Sequence, residues 1–165
     1  MIDIERVCPA NASTFIAVRL RCLLDSPTSF SSTYARESAF TDAEWSQRIA
    51  NWDGERGVGY LAAEDGVPCG LAGALLDAED PAKAQLVSMW VAPGHRRTGV
   101  GNALVDAVQA WAQARGIRTL RLMVTSPNRS AIAFYTQLGF SMTGRTAPYP
   151  NDEAIFEYEM AKAIG

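Results

Sequence analysis

Two arginines and three glycines lie close together in the segment Gly94–Gly101, which reads Gly-His-Arg-Arg-Thr-Gly-Val-Gly. Guanidinium groups carry a full positive charge and planar donors that suit phosphate oxygens. Glycine at positions such as Gly99 and Gly101 lets a bulky anion approach the backbone. If a helix begins here, its first N–H groups have no partner within the helix and also attract an anion. The segment therefore predicts a phosphate or pyrophosphate site.

A buried strand and an amphipathic helix are expected on the two sides of this segment. Leu86–Val91 is a nearly continuous apolar run with two valines, which is typical of a strand covered on both faces. Pro93 and Gly94 end that strand. Gly116 has the position of a left-handed helix C-cap. The apolar spacing predicts one buried helix face made of Val100, Leu104, Ala107, Val108 and Trp111.

Two common phosphate-binding loops do not fit the segment. Gly94–Gly99 has the glycine spacing of a P-loop, but Val100 and Gly101 stand where that loop needs Lys and Ser or Thr. A dinucleotide-binding turn would need a third glycine, which Gly99–Leu104 lacks. The next predicted strand, Thr119–Thr125, also ends without an acidic residue to hold a ribose.

A third loop fits better. Arg96-x-x-Gly99-x-Gly101, directly after a strand, resembles the acyl-CoA pyrophosphate loop of the GCN5-related N-acetyltransferase (GNAT) family. A second motif resembles another signature of the same family, at the usual separation from the first: Asn128-x-x-Ala131-x-x-Phe134-Tyr135-x-x-x-Gly139-Phe140. Because both motifs and the order of predicted elements agree, the chain is identified as a member of this family.

The patterning predicts an α/β protein whose 165 residues form one domain, residues 1–165. The expected order is strand, two helices, three strands, helix, strand, helix, two strands, which makes a mixed sheet. The resemblance implies the GNAT acyl-CoA N-acyltransferase fold: a predominantly antiparallel sheet of six to seven strands with helices on both faces. Its central parallel pair of strands splays to bind coenzyme A.

Turn and capping residues set the expected boundaries. Thr41 and Glu44 form a capping box before a helix that carries Trp45, and Asp65-Gly66 is a hairpin turn. Thr28–Phe40 is expected to be irregular. The other expected elements are a strand at Ile2–Val7, a helix from Asn11 or Ser13 to Asp25, strands Tyr60–Glu64 and Cys69–Leu76, a helix opened by Asn128 and closed by Gly139, a strand from Phe140, and a strand Ile155–Met160.

The resemblance implies acetyl-CoA as cosubstrate and assigns its binding residues. The backbone of Met89–Val91 would pair with the pantetheine arm like an added strand. Backbone N–H groups of Arg96–Gly101 would hold the pyrophosphate, Asn128 would bond the coenzyme arm, and Tyr135 would lie near the sulfur. The complete predicted coenzyme site is Met89, Trp90, Val91, Arg96, Arg97, Thr98, Gly99, Val100, Gly101, Asn128 and Tyr135.

The implied reaction moves an acetyl group from sulfur to an amine nitrogen. The tetrahedral intermediate carries an oxyanion, and the backbone N–H of Met89 is the predicted donor to it. The departing thiolate needs a proton, and the phenol of Tyr135 is the predicted general acid.

The general base stays unassigned. Many family members place Glu on the central strand or on the strand before the second motif, but this chain has Gln85 and Met123 at those places. Met123 also argues against a ribosomal-protein N-terminal acetyltransferase. The remaining candidates are expected to be solvated carboxylates, and deprotonation through water is open: Glu37, Glu44, Glu64 and Asp77.

The acceptor is the least determined part. Phe30 and Tyr34 lie in the irregular segment, where this family usually builds acceptor specificity, so they are predicted substrate contacts. Trp45 and Trp52 are expected in the core instead. The predicted substrate is a primary amine of a small molecule or peptide. A non-catalytic acyl-CoA-binding or sensing module is the alternative, and the donor could be a longer acyl group.

Composition limits the partners. A net charge of −3 offers no basic field for nucleic acid. No apolar run reaches the length of a membrane span, and the N-terminus lacks the layout of a signal peptide. Cys8, Cys22 and Cys69 have no metal-site spacing, so a cytoplasmic protein with reduced thiols and no metal is expected. A homodimer remains open.

Overall fold

A seven-stranded sheet forms the frame of the computed structural model, which describes residues 1–165. Its strands are β1 (Ile2–Arg6), β2 (Gly57–Glu64), β3 (Val67–Leu76), β4 (Lys83–Val91), β5 (Thr119–Thr125), β6 (Ser141–Pro148) and β7 (Phe156–Ala163). Its helices are α1 (Ala12–Asp25), α2 (Tyr34–Ser38), α3 (Asp42–Ala50), α4 (Val100–Ala114) and α5 (Arg129–Gln137). No helix is both long enough and apolar enough to cross a membrane.

The sheet has the order β1-β2-β3-β4-β5-β7-β6, and β4 and β5 are its one parallel pair. Lys83–Gln85 pairs with Thr119–Arg121, and no further residues of the two strands are in register. β4 nevertheless runs on to Val91 and β5 to Thr125. The two strands therefore diverge toward their carboxyl ends, and the predicted mixed sheet with a splayed parallel pair is confirmed.

Helices cover both faces of the sheet. On one face, Gly70 of β3 lies under α4, where an added Cβ would meet the Leu104 side chain at 3.0 Å. On the other face, the ring of Trp52 lies flat against Gly59 and Gly73, and a Cβ at Gly73 would come within 2.6 Å of it. Phe15 of α1 packs edge-on against Trp52. The two interior glycines therefore permit close approach of an aromatic ring, as expected from glycine within strands.

Several local signals are confirmed. Thr41 and Glu44 form the capping box at the start of α3. Asp65 and Gly66 both have positive φ, 50° and 82°, as a two-residue hairpin turn requires. Gly116 has φ 76° just beyond the end of α4. Trp45 and Trp52 are both core residues, but Trp52 follows α3 rather than belonging to it.

The expectation of an irregular segment at Thr28–Phe40 is wrong in one part, because Tyr34–Ser38 forms α2. Three helices, rather than two, therefore follow β1. Thr33 caps α2 by accepting a hydrogen bond from the Arg36 N–H. With five residues the helix is too short to show an apolar period, and the one residue that it buries is the charged Glu37.

Candidate active site

A bulge interrupts β4 beside the point where β4 and β5 separate. Trp90 pairs with Leu71 and Val87 pairs with Gly73, so Ser88 and Met89 together face a single residue of β3. Ser88 has φ 58°, a left-handed conformation that costs a serine about 1–3 kcal/mol. A bulge of this kind redirects the backbone of its strand.

Backbone groups downstream of the bulge point into the gap between β4 and β5. The Ala92 N–H donates to the Cys69 carbonyl of β3 at 2.7 Å. Because main-chain groups alternate between the two sides of a strand, those of Met89 and Val91 face the side from which β5 has moved away. The Val91 carbonyl accepts a hydrogen bond there from Arg96 Nε at 2.8 Å. The structure thus brings the predicted Met89–Val91 segment to the splayed edge.

The chain leaves β4 and enters α4 at this same end of the sheet. Gly99 has φ 97° and directly precedes α4, whose first turn has no side-chain cap. The Ala103 N–H donates to the Gly99 carbonyl, so the N–H groups of Val100 and Gly101 precede the first helical hydrogen bond. The space around Gly99 is open, with Ile2 the nearest side chain to an added Cβ at 3.7 Å. The start of α4 therefore presents unpaired N–H groups, as predicted.

Gly101 has a packing role that its sequence context did not reveal. A Cβ at Gly101 would lie 3.0 Å from the Phe134 ring of α5 and 3.5 Å from the Met89 side chain. The glycine thus lets α4 approach α5 and β4 closely, whatever it contributes to anion binding.

The two arginines of the loop differ in their surroundings. The Arg96 guanidinium donates to Asp25 Oδ2 at 2.8 Å, and Trp90 Nε1 donates to the same oxygen at 2.9 Å. The Arg96 guanidinium is therefore already paired with Asp25 of α1 and bonded to the Val91 carbonyl of β4. Arg97 is exposed, has φ 65° and makes no ion pair. The Thr98 hydroxyl donates to the His95 carbonyl at 2.6 Å and stabilises the turn.

Tyr135 and Asn128 lie on α5 and at its N-cap. Tyr135 is buried, its ring packs edge-on against Phe140 at 5.7 Å, and its hydroxyl makes no hydrogen bond. Burial raises the pKa of Tyr135, so the phenol stays neutral and retains its proton. Asn128 accepts from the Ala131 N–H at 3.3 Å and donates to Ser29 Oγ at 3.2 Å. Asn128 therefore caps α5 and ties it to the segment after α1.

A cavity of about 400 Å³ opens beside the bulge, on the sheet face that α1, α2 and α3 cover. Its floor includes Ser88 of β4, Met123 of β5 and Glu157 of β7. Phe30 lines the cavity, as predicted for a substrate contact. Tyr34 does not: it lies on the exposed side of α2 and is not part of the lining.

Glu37 is fully buried in the wall of this cavity, so the expectation that it is a solvated carboxylate is wrong. Its carboxylate accepts from Arg19 Nε and Nη2, both at 2.9 Å, and from Arg48 Nη1 at 2.7 Å. Burial alone would raise the pKa of Glu37, but the hydrogen bonds and charge of Arg19, with that of Arg48, lower it to about 2. A carboxylate so strongly stabilised as an anion is a poor proton acceptor.

Arg19 also connects this buried ion cluster to the bulge. Its Nη1 lies 3.4 Å from Ser88 Oγ. Ser88, the residue with positive φ in β4, is thus contacted by Arg19 of α1.

Glu157 is the carboxylate that sequence reasoning missed. It lies on β7 opposite Thr125 of β5, lines the cavity, and makes no ion pair or side-chain hydrogen bond. Its neighbour Glu159, on the same face, is instead paired with Arg121 at 3.5 Å and bonded to Thr143. Burial raises the pKa of Glu157. The only signal in the sequence was the alternation of β7, which does not say what the strand faces.

The other carboxylates considered from the sequence are engaged elsewhere. Glu64 Oε1 lies 2.7 Å from His95 Nδ1. Glu44 completes the capping box of α3, and Asp77 pairs with Arg121 at 2.6 Å. None of the three lines the cavity.

Comparison with known proteins points to one family. The model of the acetyltransferase (GNAT) family matches residues 22–140. The [ribosomal protein bS18]-alanine N-acetyltransferase of Escherichia coli K12 is 33% identical over 113 residues, which span 66% of this chain and 73% of the relative. N-acetyltransferase 8B of Rattus norvegicus is 33% identical over 98 residues, which span 57% of this chain and 44% of the relative.

Solved structures share the fold over the whole chain. A GNAT-family acetyltransferase from Streptococcus pneumoniae superimposes with a TM-score of 0.81 at 23% identity and covers 100% of both chains. The yncA protein of Salmonella typhimurium, solved with its cofactor acetyl-CoA, has a TM-score of 0.80 at 16% identity, covering 100% of this chain and 95% of the other.

Proposed function

The chain belongs to the GNAT family of acetyltransferases, and on that premise we propose that it transfers an acetyl group from acetyl-CoA to a primary amine of a small molecule or peptide. The family resemblance expected from the two motifs is confirmed. One observation carries the assignment to this chain's own site: β4 separates from β5 at the same end where α4 begins with unpaired N–H groups. In the proposal, residues 1–165 act as one catalytic domain in the cytoplasm.

The coenzyme is proposed to bind along this splayed edge. Its pantetheine arm pairs with the backbone of Met89–Val91, where the main-chain groups of Met89 and Val91 face the gap. Its pyrophosphate accepts from N–H groups of Arg96–Gly101, where the helix dipole favours negative charge. Asn128 and Tyr135 border the arm from α5. Arg97 adds a free charge, whereas Arg96 contributes its backbone, because its guanidinium is held by Asp25.

The acetyl transfer itself is proposed as a direct attack. The amine nitrogen bonds to the thioester carbonyl carbon, and the oxyanion that forms accepts a hydrogen bond from the Met89 N–H. Collapse of this intermediate breaks the carbon–sulfur bond, and the nitrogen, which carries a positive charge after the attack, loses its extra proton to solvent so that a neutral amide forms. The thiolate of coenzyme A takes the phenolic proton of Tyr135, which is later restored from solvent.

Glu157 is the proposed general base. An alkyl ammonium must lose a proton before it attacks, and Glu157 can accept that proton directly or through a water molecule. Three features favour it over the other carboxylates: it lines the cavity, it has no cationic partner, and burial has raised its pKa. Glu37 lacks the last two of these features.

The bS18-alanine acetyltransferase of Escherichia coli offers a precedent for a protein N-terminus as acceptor. Met123 argues against the same specificity here, because it lines the cavity where the resemblance leads one to expect Glu. Small-molecule amines therefore remain the first acceptors to test.

A non-catalytic acyl-CoA-binding module is the second candidate, and one observation favours it: Gln85 and Met123, which cannot accept a proton, line the cavity at the places where the family resemblance leads one to expect a base.

Calorimetric titration with acetyl-CoA, followed by thiol release across a panel of amines, separates the two candidates. We expect both binding and amine-dependent thiol release. Binding without release on any amine would favour the non-catalytic module, and no heat from acetyl-CoA or coenzyme A at millimolar concentration would contradict both.

A further inference from the structure

The cavity beside the bulge is cationic, although the protein as a whole is acidic. Its lining holds three guanidiniums and two carboxylates, which leaves one net positive charge, whereas the chain carries −3. The charged lining residues are Arg19, Arg36, Arg48, Glu37 and Glu157. A cavity of this sign repels polyamines and other polycations and attracts a substrate with a negative group.

The positive charges are not spread evenly. Glu37 receives both nitrogens of the Arg19 fork and one nitrogen of Arg48. One carboxylate cannot neutralise two guanidiniums, so the cluster keeps a surplus charge. The Arg48 side chain is 27% exposed, and only its Nη1 bonds to Glu37. The surplus positive charge of the cluster is therefore accessible from the cavity at the Arg48 guanidinium.

Arg36 adds a second unpaired guanidinium on the same side. It is exposed, lines the cavity, and has no carboxylate within ion-pair distance. A planar guanidinium offers paired donors that match a carboxylate or a phosphate-type oxyanion. Serine hydroxyls at Ser31 and Ser32 lie in the same wall and can supply further donors.

The sheet side of the cavity carries its single free carboxylate. Glu157 belongs to β7, whereas Arg36 and Arg48 belong to α2 and α3. The carboxylate on the sheet favours a cationic group, and the guanidiniums on the helices favour an anionic group. An acceptor that carries an ammonium and an anionic group on one small molecule can pair with both.

We propose that the acceptor is a small amine that also bears an anionic group, a carboxylate or a phosphate-type oxyanion, and that Arg36 and Arg48 bind this group. The inference rests on the proposed acetyl transfer, and it names the class of amine that the transfer uses. A cavity of about 400 Å³ suits a molecule of amino-acid size. With the anion held at α2 and α3, the amine is left to face Glu157 and the thioester.

Matched acceptors test the proposal directly. Thiol release from acetyl-CoA is measured with amino acids, with the corresponding amino amides, with aminoalkyl phosphonates, and with diamines of equal length. We expect kcat/KM for the anionic members to exceed that for their amides by about tenfold or more, as a charge-assisted pair warrants. The carboxylate and phosphonate arms show which anion is preferred.

An arginine variant assigns the effect to the site. Arg36→Gln should raise KM for the anionic acceptor by about tenfold and leave kcat nearly unchanged. The rates with the amides should also stay nearly unchanged, so the variant should no longer prefer anionic acceptors to their amides. Arg145→Gln, at an exposed arginine of β6 outside the cavity, serves as the matched control and should change nothing.

Binding measurements keep this test separate from that of the transfer reaction. Each acceptor is titrated calorimetrically into the protein saturated with coenzyme A. Turnover on amides or diamines equal to that on anionic amines would overturn the anion site and leave the acetyltransferase intact. Binding of anionic amines that Arg36→Gln weakens, without thiol release, would support the anion site and contradict catalysis. If the anionic amines do not bind and are not turned over faster than their amides, the proposal is overturned.

Discussion

The proposed coenzyme edge and the proposed acceptor cavity of this protein are built in opposite ways. The proposed coenzyme edge is formed largely by one continuous stretch, residues 88–101, and offers mainly backbone groups. The proposed acceptor cavity is lined by residues that come from α1, α2, α3, four strands and the segments between them. Recognition by main-chain N–H groups requires a particular backbone conformation, and many different side chains can occupy the positions that adopt it. Recognition by side-chain charge depends on each residue and on its neighbours.

Ser88 is where the two regions meet. Its left-handed conformation belongs to the bulge of β4 beside the gap between β4 and β5, and its hydroxyl lies 3.4 Å from Arg19 in the cavity wall. The comparison predicts that charge changes in the cavity alter stability or chemistry, whereas changes at the start of α4 alter coenzyme affinity. Substitutions at four positions test this division.

The largest effect is expected from Glu37→Gln. Removing the carboxylate leaves two guanidiniums without their shared partner, one of them buried, which should lower the free energy of unfolding by about 3–5 kcal/mol at pH 7. Urea denaturation measures this loss. Glu153→Gln, on an exposed loop, is the control and should cost about 0.5 kcal/mol or less.

The same variant has a pH signature. The pKa of Glu37 is about 2 in the folded protein against an ordinary 4.5, so its contribution to stability is complete above the ordinary value and is lost as the pH falls toward 2. The stability gap between wild type and Glu37→Gln should therefore narrow below pH 4.5. A gap that is small at pH 7, or one that does not change with pH, would contradict the buried ion cluster.

Glu157→Gln should lower kcat/KM by about a hundredfold, which is within the usual contribution of a general base. Burial raises the pKa of Glu157, so the acid limb of the wild-type pH profile should lie above the ordinary carboxyl range and should vanish in the variant. Coenzyme affinity, measured by calorimetry, should stay constant. If the acid limb survives in Glu157→Gln, another group or solvent takes the proton.

Tyr135→Phe should lower kcat by about ten- to a hundredfold with little change in coenzyme affinity, because the general acid acts on the leaving thiolate. The hydroxyl makes no hydrogen bond within the protein, so its removal should not destabilise the fold. Thermal unfolding of the variant checks this point. Turnover equal to that of wild type would remove Tyr135 from the role of acid.

The smallest effect is expected at the coenzyme edge. The side chains introduced by Gly99→Asp and Gly99→Asn have nearly equal size, and both residues must adopt φ near 97°. A difference in coenzyme affinity between the two variants therefore reports the effect of the negative charge. We expect the aspartate variant to bind coenzyme A about tenfold more weakly than the asparagine variant, because its carboxylate competes at the helix start. Calorimetry at low ionic strength measures both. Equal affinities would place the pyrophosphate elsewhere.

The strand, turn and helix that form the proposed coenzyme edge could be predicted because their information is local. A strand, a turn with Gly99 and a helix follow one another in the chain, and each has its own sequence signal. The hairpin at Asp65-Gly66 and the cap at Gly116 were equally local and equally predictable. The bulge at Ser88 was not, because serine gives no sign that it will adopt a positive φ.

The acceptor cavity could not be predicted in the same way. Arg19 and Glu37 are 18 residues apart, and Arg19 and Ser88 are 69 apart. Nothing near Glu37 in the sequence marks it as buried. Glu157 was visible only as one of two acidic residues on a strand, and the pairing of β7 with β5 decided that it, rather than Glu159, remains without a cation.

The sequence by itself therefore determined the family, the order of most elements and the strand–turn–helix segment that is proposed to hold the donor, because backbone conformation is governed by neighbouring residues. Only the tertiary structure decided which carboxylates are buried, which are paired and which one is free beside the cavity. The physical reason is that burial and charge depend on distances in space, and these join residues that the sequence keeps far apart.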